Sequence, residues 1–303
     1  MVRPSAAQIS PLEHFLAERS AMREAKTFTW YKSSLGDFDA FCRRKLNLNG
    51  RSVEPKMITK PLVLAWVADM RGRIGEVSVN TYYRGLSAYL NWLADEKFIK
   101  VSPLARMKPP KVPRRSPGEF TNEDIEKMMM HCPVGVWWGA RDGAIVQTLL
   151  RTGMRVGELV GMEEANIDWQ GRKVKVVGKG NKERSLWLDG ATVQWLLRYR
   201  RRRSDYPHWW QGQHGEKLTD NAVKQMIRKL ARRARVSGKR ASPHTFRHTF
   251  ALTYLRGGGD IRTLQELLGH ATLRATEVYL RQITQEDALR KHALLDPMKH
   301  WRS

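Results

Sequence analysis

The sequence predicts a mainly α protein of two domains, the second of which is mixed α/β with a small antiparallel sheet. Three observations support this class. Apolar residues recur at helical spacing through most of the 303 residues. The spacing changes to alternation between Arg172 and Leu188, where two short strands are joined by Gly178-Lys-Gly-Asn. A basic, proline-rich linker, residues 107–118, separates a helical domain, 1–106, from a second domain, 119–303.

The first domain contains four predicted helices. Ser78 is the expected N-cap of the fourth helix. The face of that helix opposite its apolar stripe carries Asn80, Tyr83 and Arg84. Contact with DNA and simple solvation of this face are about equally supported. The apolar stripes of the four helices lie at residues 12–16, 30–42, 62–70 and 82–93.

The second domain begins at Thr121-Asn-Glu-Asp124, which resembles a capping box. The apolar run from Ala140 to Leu150 predicts a helix that ends near Gly153. Arg155 then begins the next helix, with Glu158 one turn further on.

A strongly amphipathic helix is predicted from Asp220 to Val236. No acidic residue lies between Lys224 and Arg235, so the basic face lacks the partners of an ordinary solvated surface. We therefore expect this face to contact DNA. The inward residues are expected to be Ala222, Met226, Leu230 and Ala234, and the DNA-binding residues Lys224, Arg228 and Arg232.

The segment Ser242-Pro-His-Thr-Phe-Arg-His248 is where the sequence first suggests chemistry. Ser242 is a good N-cap, and the proline after it suits the first helical turn. His244, Arg247 and His248 follow at spacings of three and four, so they share one face at the positive end of the helix. Two histidines and an arginine placed there form a candidate phosphate clamp.

Two further candidates follow this segment. Asp260 is the expected N-cap of a helix that ends at Gly269, which places His270 just beyond a helix end. Thr272 is the expected cap of a third helix, with Tyr279 about two turns in. Taken singly, each side chain is more often a packing or capping residue. Taken together, fixed cations and a phenol suit a reaction at phosphorus, because tyrosine can act as a covalent nucleophile.

The charge of the chain restricts its partners. Lys and Arg number 54 against 30 Asp and Glu, a formal net charge of +24, which implies a polyanionic partner. An anionic membrane would also attract the chain, but no apolar run approaches a membrane span and the N-terminus has no signal-peptide core. We expect a cytoplasmic, nucleoid-associated protein without a membrane partner.

Metal and nucleotide chemistry are disfavoured. Cys42 and Cys132, the only cysteines, lie far apart in sequence and form neither a disulfide framework nor a zinc motif. The sequence has no Walker loop, no dinucleotide glycine fingerprint and no carboxylate cluster of metal-nuclease type. We therefore expect no cofactor and no metal.

Three blocks of the sequence resemble the tyrosine recombinase, or phage integrase, family, above all its Xer-type bacterial members. The resemblance is strong from Glu119 to Ile283 and weaker before it, and the combination of blocks is highly specific. The blocks are Arg151-Thr-Gly-Met-Arg155-Val-Gly-Glu158-Leu, Val177-Gly-Lys179-Gly-Asn-Lys182-Glu-Arg184, and the run from His244 to Tyr279.

The resemblance implies the tyrosine recombinase fold and a site-specific DNA recombinase that cuts and rejoins DNA. Tyr279 would attack a phosphodiester and form a 3′-phosphotyrosyl intermediate. Arg155 and Arg247 would hold the non-bridging oxygens. Lys179 would protonate the departing 5′-oxygen, with Lys182 as the competing choice.

The resemblance also implies roles for three further residues and for the partners. His244 would assist proton transfer at the nucleophile, and His270 would hydrogen-bond the phosphate. Glu158 would support the active-site arginine and histidine without touching the DNA itself. The first domain would clamp double-stranded DNA at specific core sites. The chain would act as a homotetramer, or paired with a related recombinase, in DNA integration, excision or dimer resolution.

Three alternatives remain at this point. A type IB topoisomerase would share the chemistry but relax arbitrary supercoiled DNA as a monomer. A non-catalytic DNA-binding protein of the same fold would not need the full residue set. A structural nucleic-acid-binding protein would leave five cations and a phenol unexplained. The tail from Asp287 would pack on its own domain or, as the family implies, in a neighbouring subunit.

Overall fold

The computed structural model describes residues 9–22, 25–112, 118–178, 181–284 and 287–289. These residues form two compact units, which divide after residue 115. The predicted class, mainly helical with a small antiparallel sheet, is confirmed. Within the described ranges, no helix is both long enough and apolar enough to cross a membrane.

All the regular elements in the described part of the first unit are helices. Its core includes the fully buried side chains of Phe15, Trp66, Leu86 and Leu90. The Trp66 indole N–H also donates to Asp37 Oδ2 at 2.8 Å, which satisfies its one polar atom. The helices are α1 Pro11–Met22, α2 Ala25–Lys45, α3 Lys60–Arg73 and α4 Glu76–Asp95, with a 3₁₀ turn at Pro55–Met57.

Two predictions for α4 are wrong. The helix begins after Gly75 rather than after Ser78. Tyr83 is 3% exposed and belongs to the core, because it lies four residues after Val79 and three before Leu86, on the same helix face. The proposed DNA face therefore loses its aromatic member.

The second unit combines helices with the sheet. Thr121 caps its first helix through a complete capping box with Asp124, as predicted. Its core includes the fully buried Ile145, Leu149 and Tyr199. The helices are α5 Asn122–Met130, α6 Trp137–Thr152, α7 Val156–Val160, α8 Gly190–Arg200, α9 Asp220–Arg233, α10 Pro243–Arg256, α11 Ile261–Leu268 and α12 Glu277–Leu280, with 3₁₀ turns at Glu164–Asn166 and Leu273–Ala275.

The sheet has three antiparallel strands in sequence order: β1 Ile167–Asp168, β2 Lys173–Val177 and β3 Glu183–Trp187. The two longer strands were predicted. The two-residue β1 was missed because it is too short to show alternation. Val174 pairs with Leu186 and both are buried, so the side chain of Arg184, two residues earlier on β3, lies on the same inward face.

The apolar face of α9 agrees in part with the predicted one. Leu230 and Ala234 are buried as expected, whereas Ala222 and Met226 are only half-buried and Val223, Ile227 and Ala231 are buried instead. Larger branched side chains fill the core better than the alanine at 222 does. The basic residues stay on the outer side: Arg228 and Arg232 are exposed and Lys224 is half-buried.

Candidate active site

Arg155 lies at the junction between α6 and α7, where it is the N-cap residue of α7. The junction depends on Gly153, which ends α6 in the left-handed conformation with φ of 62°. A β-carbon at Gly153 would also collide with the Phe250 ring, so no larger residue fits. This turn fixes the point from which the Arg155 side chain extends.

Glu158 is the hydrogen-bonded centre behind Arg155, and its side chain is 3% exposed. Its Oε1 accepts from Arg155 Nη1 at 2.9 Å and from Arg184 Nη1 at 2.8 Å. Its Oε2 accepts from the Arg155 backbone N–H at 2.7 Å and from Arg184 Nη2 at 2.8 Å. Burial opposes the charge, but the bonds from Arg184 and Arg155 outweigh it and lower the pKa of Glu158 below its ordinary value.

The expected supporting role of Glu158 towards an arginine therefore has a geometric basis. Among the described residues, its hydrogen-bond donors are Arg155 and Arg184 rather than a histidine. Sequence reasoning assigned no role to Arg184, although it lies within one of the quoted blocks. The sequence did contain a signal for such a role, because the alternation along β3 places the charged Arg184 on the same face as the buried Leu186.

Arg247 lies on α10, whose N-terminus is capped by the predicted Ser242 through the Thr245 backbone N–H. The arginine is 5% exposed and donates from Nη1 to Gly153 O at 2.8 Å and from Nη2 to Leu268 O at 2.7 Å. Burial, and then repulsion from Arg155, lowers the pKa of Arg247 to about 10. The guanidinium remains charged at neutral pH.

The two histidines of α10 separate in the structure. His244 lines a cleft together with Arg247. His248 is 2% exposed and bonds Gln282 Oε1 at 3.0 Å through Nε2, so it is a packing residue and not part of the clamp. The spacing of four places both on one side of α10, but of the two only His244 lines the cleft.

His270 follows Gly269, which ends α11 with φ of 61° as predicted. Its Nδ1 lies 2.9 Å from Thr276 Oγ1, which fixes the ring orientation. Burial, and then the positive charges of Arg247 and Arg155, lowers the pKa of His270 to about 4. The imidazole is therefore neutral at physiological pH.

Tyr279 lies on α12, one turn of helix rather than the predicted longer one, and Thr272 makes no side-chain cap. Its ring is nearly parallel to that of His270, with centroids 6.4 Å apart and planes at 4°. The residue is 3% exposed. Burial raises the pKa of the Tyr279 hydroxyl, and the nearby Arg247 guanidinium opposes that rise.

These elements surround an open cleft of about 590 Å³. Arg155, Arg247, His244 and His270 line it, and none of its described lining residues is acidic. Of the predicted DNA-binding residues, Lys224 and Arg228 also line the cleft, whereas Arg232 lies elsewhere on α9. Such a cleft suits a phosphate group held by several cations.

Two predicted features are not placed in this cleft. Tyr279 contacts His270 but is not among the lining residues. Lys179, the expected general acid, lies outside the described residues, as does the tail from residue 290 onwards. No group of three or more His, Cys, Asp or Glu suited to a metal ion occurs within the described part of the chain.

Comparison with known proteins adds to this geometry. Residues 119–286 match the phage integrase family. The tyrosine recombinase XerD of Pseudomonas putida is 32% identical over 227 residues, which cover 71% of this chain and 74% of that protein. The tyrosine recombinase XerC of Myxococcus xanthus is 30% identical over 236 residues, which cover 72% of this chain and 78% of that protein.

Solved structures share the fold at lower identity. A Tn1549 transposon integrase in complex with transposon right end DNA has a TM-score of 0.76 at 16% identity, covering 95% of this chain and 99% of that one. The XerH site-specific recombinase bound to palindromic difH substrate has a TM-score of 0.70 at 18% identity, covering 96% of this chain and 84% of that one.

Proposed function

The chain belongs to the phage integrase family and is a site-specific tyrosine recombinase, and we propose that it cuts and rejoins double-stranded DNA through Tyr279. One observation carries the assignment of the site. Arg155 and Arg247, from distant parts of the chain, converge on one cleft that has no acidic lining among the described residues. The buried Arg247 is held by two backbone carbonyls, which leaves it preorganised for an anion.

In the proposed reaction, the Tyr279 oxygen attacks the scissile phosphorus and a phosphorus–oxygen bond to the tyrosine forms. The bond from phosphorus to the 5′-oxygen breaks, which leaves a 3′-phosphotyrosyl link and a 5′-hydroxyl. Arg155 and Arg247 neutralise the charge that grows on the non-bridging oxygens. Another strand's 5′-hydroxyl reverses the step, so the energy of the phosphodiester is retained.

Proton transfer is assigned to two residues, and a hydrogen bond to the phosphate is assigned to a third. Burial, and then Arg247 and Arg240, lowers the pKa of His244, so its neutral ring can accept the phenol proton. Lys179 supplies a proton to the departing 5′-oxygen. His270, also neutral, donates a hydrogen bond to the phosphate through the ring nitrogen that Thr276 does not contact.

The proposed partner is duplex DNA with specific core sites. The net charge of +24 and the cationic cleft support a phosphate-rich partner. The XerH and Tn1549 structures, which contain DNA, support the same choice. We further propose that residues 1–106 clamp the duplex and that four subunits assemble on paired sites.

A trapping experiment tests the proposed function. Footprinting first identifies a core site that the protein binds. A nicked duplex that carries this site loses its short 5′-fragment on cleavage, so the protein–DNA adduct accumulates. We expect a denaturation-resistant adduct in excess EDTA without nucleotide, because protein cations alone stabilise the transition state. Loss of the adduct on chelation, with recovery on adding Mg²⁺, would contradict this mechanism.

The cationic face of α9 gives a prediction about salt. Each phosphate contact contributes about 0.9 to the slope of log affinity against log salt. Replacing both Arg228 and Arg232 by glutamine should therefore make the slope shallower by about 2. Binding titrations at several salt concentrations measure this change.

A charge-matched control is available just after the end of α8. Two exposed arginines lie there, Arg201 and Arg202, and glutamine at both positions removes the same charge. We expect this control to change the slope much less. Equal slopes for the two double variants would show that α9 has no special contact with DNA.

A further inference from the structure

We propose that Arg184 is a positioning residue that keeps the Arg155 guanidinium free to bind the scissile phosphate. The inference rests on the function proposed above for the cleft. It concerns a side chain that does not line the cleft itself. Arg184 acts through Glu158, the buried carboxylate that both arginines share.

The hydrogen bonds of Glu158 are fully used. A carboxylate offers about four acceptor positions, and two are filled by Arg184 and two by Arg155. Arg184 is itself committed to the protein, because its Nε donates to Leu267 O at 2.9 Å and its side chain is 14% exposed. Arg184 therefore fills acceptor positions of Glu158 and does not compete with Arg155 for the DNA phosphate.

Arg155 is placed differently. Its side chain is 37% exposed, and it gives Nη1 to Glu158 and Nη2 to Gly269 O at 2.8 Å. A guanidinium has about five N–H groups, so about three of those of Arg155 are not used in these two bonds, and the residue lines the cleft. Arg155 can hold a phosphate only while Glu158 accepts from no further N–H group of its guanidinium.

Removing Arg184 would change how the N–H groups of Arg155 are divided between Glu158 and the phosphate. Glu158 would lose two donors in a buried setting, where an under-satisfied carboxylate is costly. Among the described residues, Arg155 is the remaining cation that already bonds Glu158, and its guanidinium can reach both oxygens by turning into a bidentate pair. Its donors would then face Glu158 instead of the phosphate.

The packing around Gly269 permits this movement. A β-carbon there would lie 2.8 Å from Arg184 Nη1 and 3.3 Å from Arg155 Nη1, so both guanidinium groups press against the same glycine. Loss of the Arg184 side chain would open space directly beside Arg155. In the intact protein, Arg184 fills this space and holds the end of α11 through Leu267 O.

The test compares two substrates under single-turnover conditions. One is the nicked duplex with its natural scissile phosphate, and the other has a methyl group in place of one non-bridging oxygen, which removes the negative charge. Arg184→Ala should slow cleavage of the phosphate by up to about 100-fold, the loss expected for one donor to the growing charge. The loss should shrink on the neutral methylphosphonate, as it should for Arg155→Ala, because less charge needs to be bound.

Arg141→Ala is the matched control. Arg141 is 13% exposed and bonds one buried carboxylate, Asp142, and one backbone carbonyl, Gln211 O. Its loss should lower thermal stability about as much as loss of Arg184 does, with little effect on the ratio of the two cleavage rates. If Arg184→Ala does not fold, Arg184→Lys keeps the charge but cannot bond both oxygens, and should show the same substrate dependence more weakly.

A second variant isolates the competition for Arg155. Glu158→Gln in the Arg184→Ala background removes the charge that captures Arg155, so it should restore part of the cleavage rate. Arg184→Ala with a wild-type rate, or with equal losses on both substrates, would overturn the inference. Failure of the wild-type protein to form an adduct at Tyr279 would instead overturn the proposed function, so the two outcomes are distinguishable.

Discussion

Tyr279→Phe is expected to abolish the covalent protein–DNA adduct completely while site binding persists. The substitution removes only the hydroxyl, so the ring keeps its contacts with His270 and His248. The apolar neighbours of the ring, Leu264 and Leu268 among them, should hold the fold unchanged. Gel-shift assays measure binding, and denaturing gels of the nicked substrate measure the adduct.

Tyr254→Phe is a suitable control, because this second tyrosine also packs against the same apolar cluster. It should form the adduct at a wild-type rate. An adduct formed by Tyr279→Phe would refute the assignment, and peptide mapping of that adduct would identify the residue that attacks.

Arg247→Ala is expected to reduce cleavage at least about 100-fold, since one preorganised donor to a growing oxyanion contributes that much or more. It should also destabilise the protein. Gly153 O and Leu268 O would lose their donors within the interior, at a cost of about 1–3 kcal/mol each. Single-turnover cleavage and thermal unfolding measure the two effects separately.

Arg155→Ala separates catalysis from folding. Because its side chain is more exposed, its loss should cost less stability than the loss of Arg247, with a comparable loss of cleavage.

Lys179→Ala gives a chemical contrast. A 5′-bridging phosphorothioate substrate releases a thiolate, which leaves without a proton, so this substrate should rescue the Lys179 variant alone. Rescue of Arg247→Ala by the thiolate would argue against its role as a phosphate clamp.

Local signals in the sequence predicted most of the fold. Ser242, Asp260, Gly153 and Gly269 end or begin helices where they were expected to, because caps act through neighbouring backbone groups. The family resemblance carried by the three motif blocks is confirmed. The start of α4 was wrong, and so were two of the four inward residues of α9, Ala222 and Met226, because tertiary packing decided between similar local patterns.

The contacts of the site were less predictable. Helical spacing placed His244 and His248 together, but only the packing against Gln282 shows that His248 is buried away from the cleft. Arg184 reaches Glu158 across 26 positions of sequence, which no local pattern reports. The roles of Lys179, His244 and Tyr279 remain predictions that the variants above test.

The burial of Tyr279 on a single turn of helix has a kinetic consequence. Because Tyr279 is only 3% exposed, we expect its hydroxyl to reach a phosphorus atom after a local rearrangement of the chain around α12. The observed cleavage rate is then the intrinsic chemical rate multiplied by the fraction of molecules in the open form. Any contact that favours the open form would then accelerate cleavage without altering a catalytic residue.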